Sequence, residues 1–309
     1  MLYRMALQHQ ENEKWGTAAL YRAVASSISI FMRNKNIEFN DITPAWLKSF
    51  ENYLLSTQKT WNTISTYMRI LRASYNQAVM ANLTSFRPYL FNKVYMGVIA
   101  ERENALDVNE MKMLIGLSIS NKSMLTGKQL KSLRYFVLMF LLKGLPFVDL
   151  AYLKKTDLKN GTLSYRRKKT GRHLRTKLDE MATQLLQSLM SNDKDSPYLF
   201  DILHYPEGSK EAYKEYQASL KQLNKILKVI SKQLGLNRTI TTYCARHTWA
   251  TFAFRSNINP AVISQSMGHS SIKVTETYLK PFQQEIINEA NRQVLQFVME
   301  GQDAPFTTK

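Results

Sequence analysis

Three short segments in the last third of the chain carry side chains suited to chemistry on a phosphodiester. His269 follows Arg246 by 23 residues, and Tyr278 follows His269 by 9. A tyrosine hydroxyl can attack phosphorus and keep the energy of the broken bond in an ester, so that rejoining needs no ATP. A planar guanidinium binds two nonbridging oxygens, and an imidazole N–H donates to the same phosphate as its charge grows. These three residue types could act together on a phosphodiester.

The segments around these residues read Thr-Thr-Tyr-Cys-Ala-Arg-His-Thr from Thr241, Ser-Met-Gly-His-Ser-Ser from Ser266 and Val-Thr-Glu-Thr-Tyr-Leu from Val274. Their order and spacing resemble the end pattern of the phage-integrase or tyrosine-recombinase family, which includes the Xer recombinases. That pattern is His-x-x-Arg-His, then Leu-Gly-His-Ser, then a tyrosine shortly after a Thr-rich stretch. An isolated Gly-His-Ser would be weak evidence, whereas the ordered set is strong. The resemblance covers nearly the whole chain.

The resemblance implies a site-specific recombinase that cleaves and rejoins DNA through a 3′-phosphotyrosyl intermediate, in integration, excision or inversion. It also implies two arms that close around DNA like a clamp, and a homotetramer assembled on two recombination sites. Because the region before the first predicted helices is short, we expect no additional arm-site-binding domain. This favours simple recombination sites, as in Xer-like or invertase-like enzymes.

Individual roles follow from the same resemblance. Tyr278 is the nucleophile. Lys169, directly before Thr170-Gly171, matches the hairpin lysine of the family, the general acid for the leaving 5′ oxygen. Asp149 matches an acidic position that orients the active-site groups. The scheme requires no cofactor and no metal, and the five histidines of the sequence form no metal-ligand cluster.

Two positions depart from the family pattern. The family usually reads Gly-Leu-Arg where this chain has Gly144-Leu145-Pro146, so the first catalytic arginine is absent. It usually has histidine where this chain has Tyr243, whose hydroxyl can still donate a hydrogen bond. We expect Arg167 to supply the missing charge, because period-two geometry puts it on the same strand face as Lys169. Lys143 is the next candidate.

These losses leave open a second class of function, a DNA-binding protein on a recombinase fold that no longer cuts. A third interpretation is a relaxing enzyme similar to the type IB topoisomerases, although the separate helical domain and the short length favour recombination. Each residue also has an ordinary structural explanation as a packing tyrosine, a capping histidine or a surface arginine. His247 follows the family pattern too, and we give it the structural role of orienting its neighbours.

The composition favours a nucleic-acid partner. The 309 residues, enough for one large or two medium domains, include 42 Lys and Arg against 24 Asp and Glu, a formal charge of +18. A protein with this positive charge attracts DNA, and its binding is driven by release of the counterions condensed on the DNA. We find no lipidation signal or basic amphipathic helix that would favour a membrane surface. The longest apolar run, residues 135–142, is too short to span a bilayer. The single cysteine, Cys244, suits a reducing cytoplasm.

The first hundred residues predict helices and no convincing strand. Apolar side chains recur at helical spacing over residues 15–31, from Pro44 onward and over residues 60–81. Thr43-Pro44 is typical of a helix start, because proline in the first turn loses no needed donor. The polar face of the third helix presents Ser65, Arg69, Arg72 and Asn76. Arg69 and Arg72 are candidate DNA contacts, and a merely solvated surface is the alternative.

A change of composition predicts where the first domain ends. The helical pattern stops at Arg87-Pro88, and residues 100–104 carry charge but no large apolar side chain. Asp107 and Glu110 form a capping-box pattern that opens a helix over residues 108–119. We predict a helical core-binding domain at residues 1–96, a linker at 97–104, a catalytic domain at 105–282 and a tail helix at 283–309.

The middle of the chain predicts an apolar helix followed by a small antiparallel sheet. Residues 130–143 are typical of a buried helix that breaks at Gly144, and Asn160-Gly161 then indicates a hairpin turn. Residues 162–169 alternate between two faces, and Thr170-Gly171 marks a second turn. Ten Lys or Arg and one acid lie between residues 154 and 177, a density that favours a hairpin pressed into a DNA groove. The candidate DNA contacts there are Arg166, Lys168 and Arg172.

The rest of the chain predicts helices at residues 210–234, 244–255, 261–267, 273–280 and 283–299. The predicted fold is therefore mainly α with a small antiparallel β-sheet, a helical core-binding domain joined to a mixed α+β catalytic domain of the tyrosine-recombinase type. In the last helix an apolar stripe is formed by Ile287, Ala290, Val294 and Val298. The stripe packs either on a neighbouring protomer, as the resemblance implies, or on the chain's own catalytic domain.

Overall fold

The computed structural model describes residues 1–98, 105–120, 124–276 and 284–300. The described chain is mainly helical with one three-stranded antiparallel sheet, which confirms the predicted fold class. It divides into two compact units, one formed by Met1–Glu103 with Asp201–Gln222 and the other by Asn104–Phe200 with Leu223–Lys309. Residues 201–222 thus group with the N-terminal helices, although the sequence pattern puts them in the catalytic domain. In the described ranges no helix is long and apolar enough to cross a membrane.

The first unit contains α1 (Leu2–Glu11), α2 (Trp15–Phe31), α3 (Pro44–Ser56) and α4 (Trp61–Met80), with a 3₁₀ turn at Phe39–Asp41. Thr43 and Thr60 cap α3 and α4, and each side chain accepts a hydrogen bond from a backbone N–H of the first turn. The apolar faces of α2, α3 and α4 form one core, with Phe50 and Met68 fully buried at its centre.

Two residues predicted to lie on the polar face of α4, Ser65 and Arg69, contact other parts of the protein. Ser65 is buried, so its place on that face was predicted wrongly. The exposed guanidinium of Arg69 donates to the carbonyl oxygens of Met96, at 3.0 and 3.1 Å, and Gly97, at 2.9 Å. Arg69 therefore holds the segment that precedes the predicted linker against α4. Arg72 is exposed.

Residues 201–222 attach to the first unit beside the connection between α1 and α2. The indole Nε1 of Trp15 donates to the carbonyl oxygen of Gly208 at 2.7 Å. Gly208 has φ +90°, and a Cβ there would meet the carboxylate of Glu13. The close fit at this glycine explains how a segment distant in sequence joins the N-terminal helices.

The second unit contains the helices around the sheet. They are α5 (Val108–Ile119), α6 (Gly127–Leu141), α7 (Phe147–Ala151), α8 (Glu180–Leu189), α10 (Thr242–Arg255), α11 (Pro260–Ser266), α12 (Ile272–Glu276) and α13 (Gln284–Glu300). The long helix α9 (Lys210–Gln233) begins in the first unit and ends in the second. The capping box of Asp107 and Glu110 is present as predicted. Neither α7 nor α8 was predicted.

The sheet consists of β1 (Leu158–Lys159), β2 (Thr162–Arg166) and β3 (His173–Lys177) in that order, all antiparallel. Asn160 and Gly161 have positive φ, as the predicted tight turn requires. The buried face carries Leu163 and Tyr165, and burial continues to Arg167 just beyond the strand. β2 ends at Arg166, so the predicted strand face for Lys169 is wrong. Residues 168–170 form a turn instead.

The last described helix presents an uncovered apolar surface. On α13 the side chains of Val294, Leu295, Phe297 and Val298 are all more than half exposed. Ala290 is exposed as well, and the side chain of Ile287 lies outside the described residues. Nothing among the described residues of the chain therefore covers Val294 and Val298 of the predicted stripe.

Candidate active site

Four stretches of the second unit converge on two buried arginines. They are the turn between α6 and α7, the hairpin of β2 and β3, the helix α10, and the connection between α11 and α12. Hydrogen bonds to the backbone of Gly144, Met267 and Gly268 join these stretches to one another. The site is thus fixed largely by main-chain acceptors.

Arg246 projects from α10 into the interior, where its side chain is only 3% exposed. Its Nη1 donates to the carbonyl oxygen of Gly144 and its Nη2 to that of Met267, each at 2.8 Å. A guanidinium keeps its charge in a protein, so a buried one requires acceptors in place of water. The two carbonyls supply them and also fix the plane of the guanidinium.

The turn after α6 brings Gly144 against α10. Lys143 and Gly144 both have positive φ, at 59° and 68°, which reverses the chain after the helix. A Cβ on Gly144 would lie 2.8 Å from the Cα of Arg246. Glycine is required here both by the backbone conformation and by the close approach. Pro146 follows as the residue before α7 and carries no charge to the site.

The end of α11 explains the Gly-His pair of the sequence motif. The backbone N–H of His269 donates to Ser264 O at 3.0 Å, and that of Gly268 donates to Gln265 O at 3.1 Å, the pattern of a Schellman ending. Gly268 has φ +64°, and a Cβ there would lie 3.0 Å from atoms of Arg167 and Leu174. This ending leaves the carbonyl of Met267 aimed at the arginines.

Arg167 reaches the same carbonyl from the hairpin. Its Nη1 donates to Met267 O at 2.5 Å, and its Nε lies 2.7 Å from Asp149 Oδ2 in a buried ion pair. Asp149 Oδ1 accepts a hydrogen bond from the backbone N–H of Lys168 at 2.8 Å. Burial raises the pKa of the Asp149 carboxyl, and the adjacent Arg167 opposes that shift. Asp149 thereby orients Arg167 and anchors the hairpin tip.

His269 is buried beside both arginines. Its Nδ1 lies 2.7 Å from the hydroxyl oxygen of Thr275. Burial, followed by the nearby charges of Arg246 and Arg167, lowers the pKa of His269 to about 4. The imidazole is therefore neutral at pH 7. When the Thr275 hydroxyl donates to Nδ1, the proton is on Nε2, which can then donate to a phosphate.

The hairpin tip carries two adjacent lysines and is tied to the α11–α12 connection. Thr170 Oγ1 donates to Gly268 O at 3.1 Å, and Arg172 Nη2 donates to Ser270 O at 3.1 Å. Lys168 and Lys169 are both exposed. The charge of Lys169 contributes to the lowered pKa of His269, after burial and the charges of Arg246, Arg167 and Arg172.

Tyr243 stands on α10 one turn before Arg246 and is half exposed. Its ring packs edge-on against His247, with centroids 4.6 Å apart. Burial and the charge of Arg246 lower the pKa of His247 to about 4, so this histidine is also neutral at pH 7. The contact is consistent with the predicted orienting role of His247.

The structure thus brings Arg246, His269, Arg167 and Asp149 together and puts Lys169 on the adjacent turn. Tyr278 lies outside the described residues. Sequence reasoning missed the carbonyl of Met267, since a backbone acceptor leaves no side-chain signal. It also missed Thr275, for which the Thr-rich stretch after the Gly-His motif was a usable signal. The arrangement can bind a phosphate with two fixed cations and a neutral imidazole donor.

Models of two protein domains match most of the chain. Residues 2–94 match the model of the phage integrase SAM-like domain, and residues 105–285 match that of the phage integrase family. The tyrosine recombinase XerA of Pyrococcus furiosus is 29% identical over 150 residues, which cover 48% of this chain and 49% of XerA. The chain therefore matches about half the length of that relative.

Two solved structures share the fold. One is the Tn1549 transposon integrase in complex with transposon right end DNA, with TM-score 0.64, 18% identity, and coverage of 96% of this chain and 98% of the other. The second is a lambda integrase tetramer bound to a Holliday junction, with TM-score 0.58, 14% identity, and coverage of 90% and 77%. At these identities the likeness establishes the architecture alone.

The contact between Gly144 and Arg246 predicts a specific loss of stability. Gly144→Ala should lower the free energy of unfolding, measured by urea titration, by more than Gly161→Ala does. Both glycines have nearly the same φ, +68° and +67°, but nothing lies within 4 Å of a Cβ at Gly161. Gly161→Ala should cost about 1–2 kcal/mol for the left-handed conformation. Gly144→Ala should cost a further ~1–3 kcal/mol for overpacking. Equal losses would refute the close approach.

Proposed function

This chain belongs to the phage integrase family, the tyrosine recombinases, and on that premise we propose that it is a site-specific DNA recombinase. The observation that carries the proposal is the pair of buried arginines, Arg246 and Arg167, held by one carbonyl beside the neutral His269. Two fixed cations and a neutral donor suit a phosphodiester whose negative charge grows in the transition state.

In the proposed reaction the hydroxyl oxygen of Tyr278 attacks phosphorus, and its proton passes to water. The bond between phosphorus and the 5′ oxygen breaks, Lys169 gives its proton to that oxygen, and the 3′ phosphate stays on the tyrosine. Attack by a 5′ hydroxyl reverses these steps and rejoins the strands. Arg246 and Arg167 bind the nonbridging oxygens, His269 donates to one of them, and Tyr243 adds a donor from the half-exposed face of α10.

The proposal assigns the rest of the chain to DNA binding and assembly. We assign a helical core-binding domain to residues 1–96, a linker to 97–104, a catalytic domain to 105–282 and a tail to 283–309. The proposed contacts to the DNA backbone are made by Arg69, Arg72, Arg166, Lys168 and Arg172, all exposed. An acting homotetramer on two DNA sites, working in the cytoplasm, completes the proposal. The lambda integrase structure is such a tetramer, on a Holliday junction.

The nucleophile can be tested without knowledge of the target site. Duplexes of random sequence, each with one nick, are incubated with the protein, and covalent complexes are recovered in detergent and sequenced. We expect recovered duplexes to share one sequence, that of the recombination site. They should carry a 3′-phosphotyrosyl bond at Tyr278, because the nick lets the cut end diffuse away and so prevents rejoining. Tyr278→Phe should recover none. Undiminished recovery with Tyr278→Phe would refute the assignment, and failure of the parent protein to recover any would favour a DNA-binding protein that does not cut.

Arg167 can be tested against its neighbour Arg166, which is exposed and bonded to Gly171 O on the hairpin tip. On a nicked duplex of the recovered sequence, Arg167→Ala should lower cleavage by ~100-fold or more, the scale for loss of a preorganised donor. Its DNA affinity should stay within about a few-fold, since one phosphate contact among many is lost. Arg166→Ala should lower cleavage far less. Equal cleavage by both variants would make Arg167 part of the basic surface only.

Arg167→Ala should also lower the stability of the fold, because the buried Asp149 would lose its counter-ion. Arg167→Lys keeps a positive charge opposite Asp149 but lacks the planar fork. It should remain folded by urea titration and still cleave slowly. A folded Arg167→Lys protein with the parent rate would contradict the role of the guanidinium.

The exposed stripe on α13 predicts how protomers join. Deletion of residues 283–309 should leave binding to a single DNA site intact but prevent complexes that contain two sites, because it removes the uncovered Val294 and Val298 that would pack on a neighbouring protomer. Gel shifts with one and two labelled duplexes measure both steps. Two-site complexes formed by the shortened protein would refute exchange of the tail.

A further inference from the structure

The hairpin tip presents two adjacent lysines, and only one can serve as the acid at a single 5′ oxygen. Lys168 is held at two points by the region of α7. Its backbone N–H donates to Asp149 Oδ1 at 2.8 Å, and its Nζ lies 4.4 Å from the centroid of the Tyr152 ring. Tyr152 is the residue that ends α7. An ammonium over an aromatic face is attracted by the partial negative charge on the face of the π-system.

The ring of Tyr152 is a fixed support. It is partly buried and packs edge-on against Tyr198, with centroids 6.4 Å apart. Tyr198 is itself 1% exposed, and its backbone pairs with that of Lys154. The ring on which the Lys168 ammonium rests is therefore packed against the core of the second unit.

Lys169 is the next residue of the turn. The backbone on either side of it is tied down, by the Lys168 N–H on Asp149 and by Thr170 Oγ1 on Gly268 O. Its charge acts on His269, at the heart of the site. The ammonium of Lys168 thus rests on the ring of Tyr152, whereas the charge of Lys169 acts on His269 together with those of Arg246, Arg167 and Arg172.

We propose that Tyr152 is a positioning residue that retains the ammonium of Lys168 on its ring, so that Lys169 alone of the two lysines reaches the leaving 5′ oxygen. The inference rests on the proposed function, in which Lys169 gives its proton to that oxygen as the P–O bond breaks. Without the ring, Lys168 would be released into the same space and could perform the same proton transfer. Tyr152 then determines which lysine acts.

The test uses nicked duplexes of the recovered sequence with either oxygen or sulfur at the 5′ bridging position. Sulfur leaves as a thiolate and needs no acid, because thiols are far more acidic than alcohols. Lys169→Ala should therefore lower single-turnover cleavage of the oxygen substrate by ~100-fold or more and leave that of the sulfur substrate within about a few-fold. Failure of sulfur to restore this variant would refute Lys169 as the acid, and with it both the proposed function of that residue and the present inference.

The role of Tyr152 is then measured in the Lys169→Ala background. Tyr152→Leu removes the ring, and the double variant should cleave the oxygen substrate at least fivefold faster than Lys169→Ala alone, since Lys168 can now reach. Tyr152→Phe keeps the aromatic face, and its double variant should show no gain. A further change, Lys168→Met, should abolish the gain. A residue that merely packs the core would add to the loss, so a rate that falls or stays level in Tyr152→Leu/Lys169→Ala overturns the inference while Lys169 stands. The sulfur substrate reports whether each variant is still folded and active.

Discussion

The carbonyl oxygen of Met267 accepts hydrogen bonds from two buried guanidinium groups, that of Arg246 on α10 and that of Arg167 on the hairpin. Neither guanidinium loses its proton in a protein, so each needs hydrogen-bond acceptors that replace water. The last carbonyls of a helix are suited to this, because they have no partner within the helix and carry partial negative charge. One backbone atom thus sets the separation of the two cations. The Schellman ending of α11, with Gly268 in the left-handed conformation, sets where that atom lies.

Asp149 orients Arg167 toward the carbonyl of Met267. Its carboxylate contacts Arg167 through one oxygen and the backbone of Lys168 through the other, which joins α7 to the hairpin tip. Two buried arginines against one buried carboxylate leave a net positive charge that no buried acid among these contacts cancels, and a phosphate can neutralise it. The same charges, with burial, keep His269 uncharged. In the proposed mechanism the histidine therefore meets the phosphate as a neutral hydrogen-bond donor and adds no third charge to the interior.

The sequence predicted what local signals determine. Thr43, Thr60 and Asp107 each cap a helix by accepting a hydrogen bond from the backbone N–H three residues further on, so these helix starts could be read from short patterns. The five residues of α7 are too few to show a helical repeat, and the docking of residues 201–222 depends on a contact with Trp15 nearly two hundred positions away. In the site, alternation along β2 predicted a common face for Arg167 and Lys169. The strand stops at Arg166. Arg167 is still buried, as the alternation predicted, but the position of Lys169 is set by the turn and by the contacts of the residues on either side of it.

The absence of an arginine at Pro146 changes how the site is assembled. In the family pattern that cation belongs to the turn after the apolar helix, whereas here the turn contributes the carbonyl of Gly144. In the proposed mechanism Arg167 and Lys169 both belong to the hairpin, so the second phosphate cation and the general acid come from one element. Docking of that hairpin through Asp149 and Gly268 then completes phosphate binding and proton transfer in a single step. In that mechanism a displaced hairpin would lose the phosphate cation and the acid together.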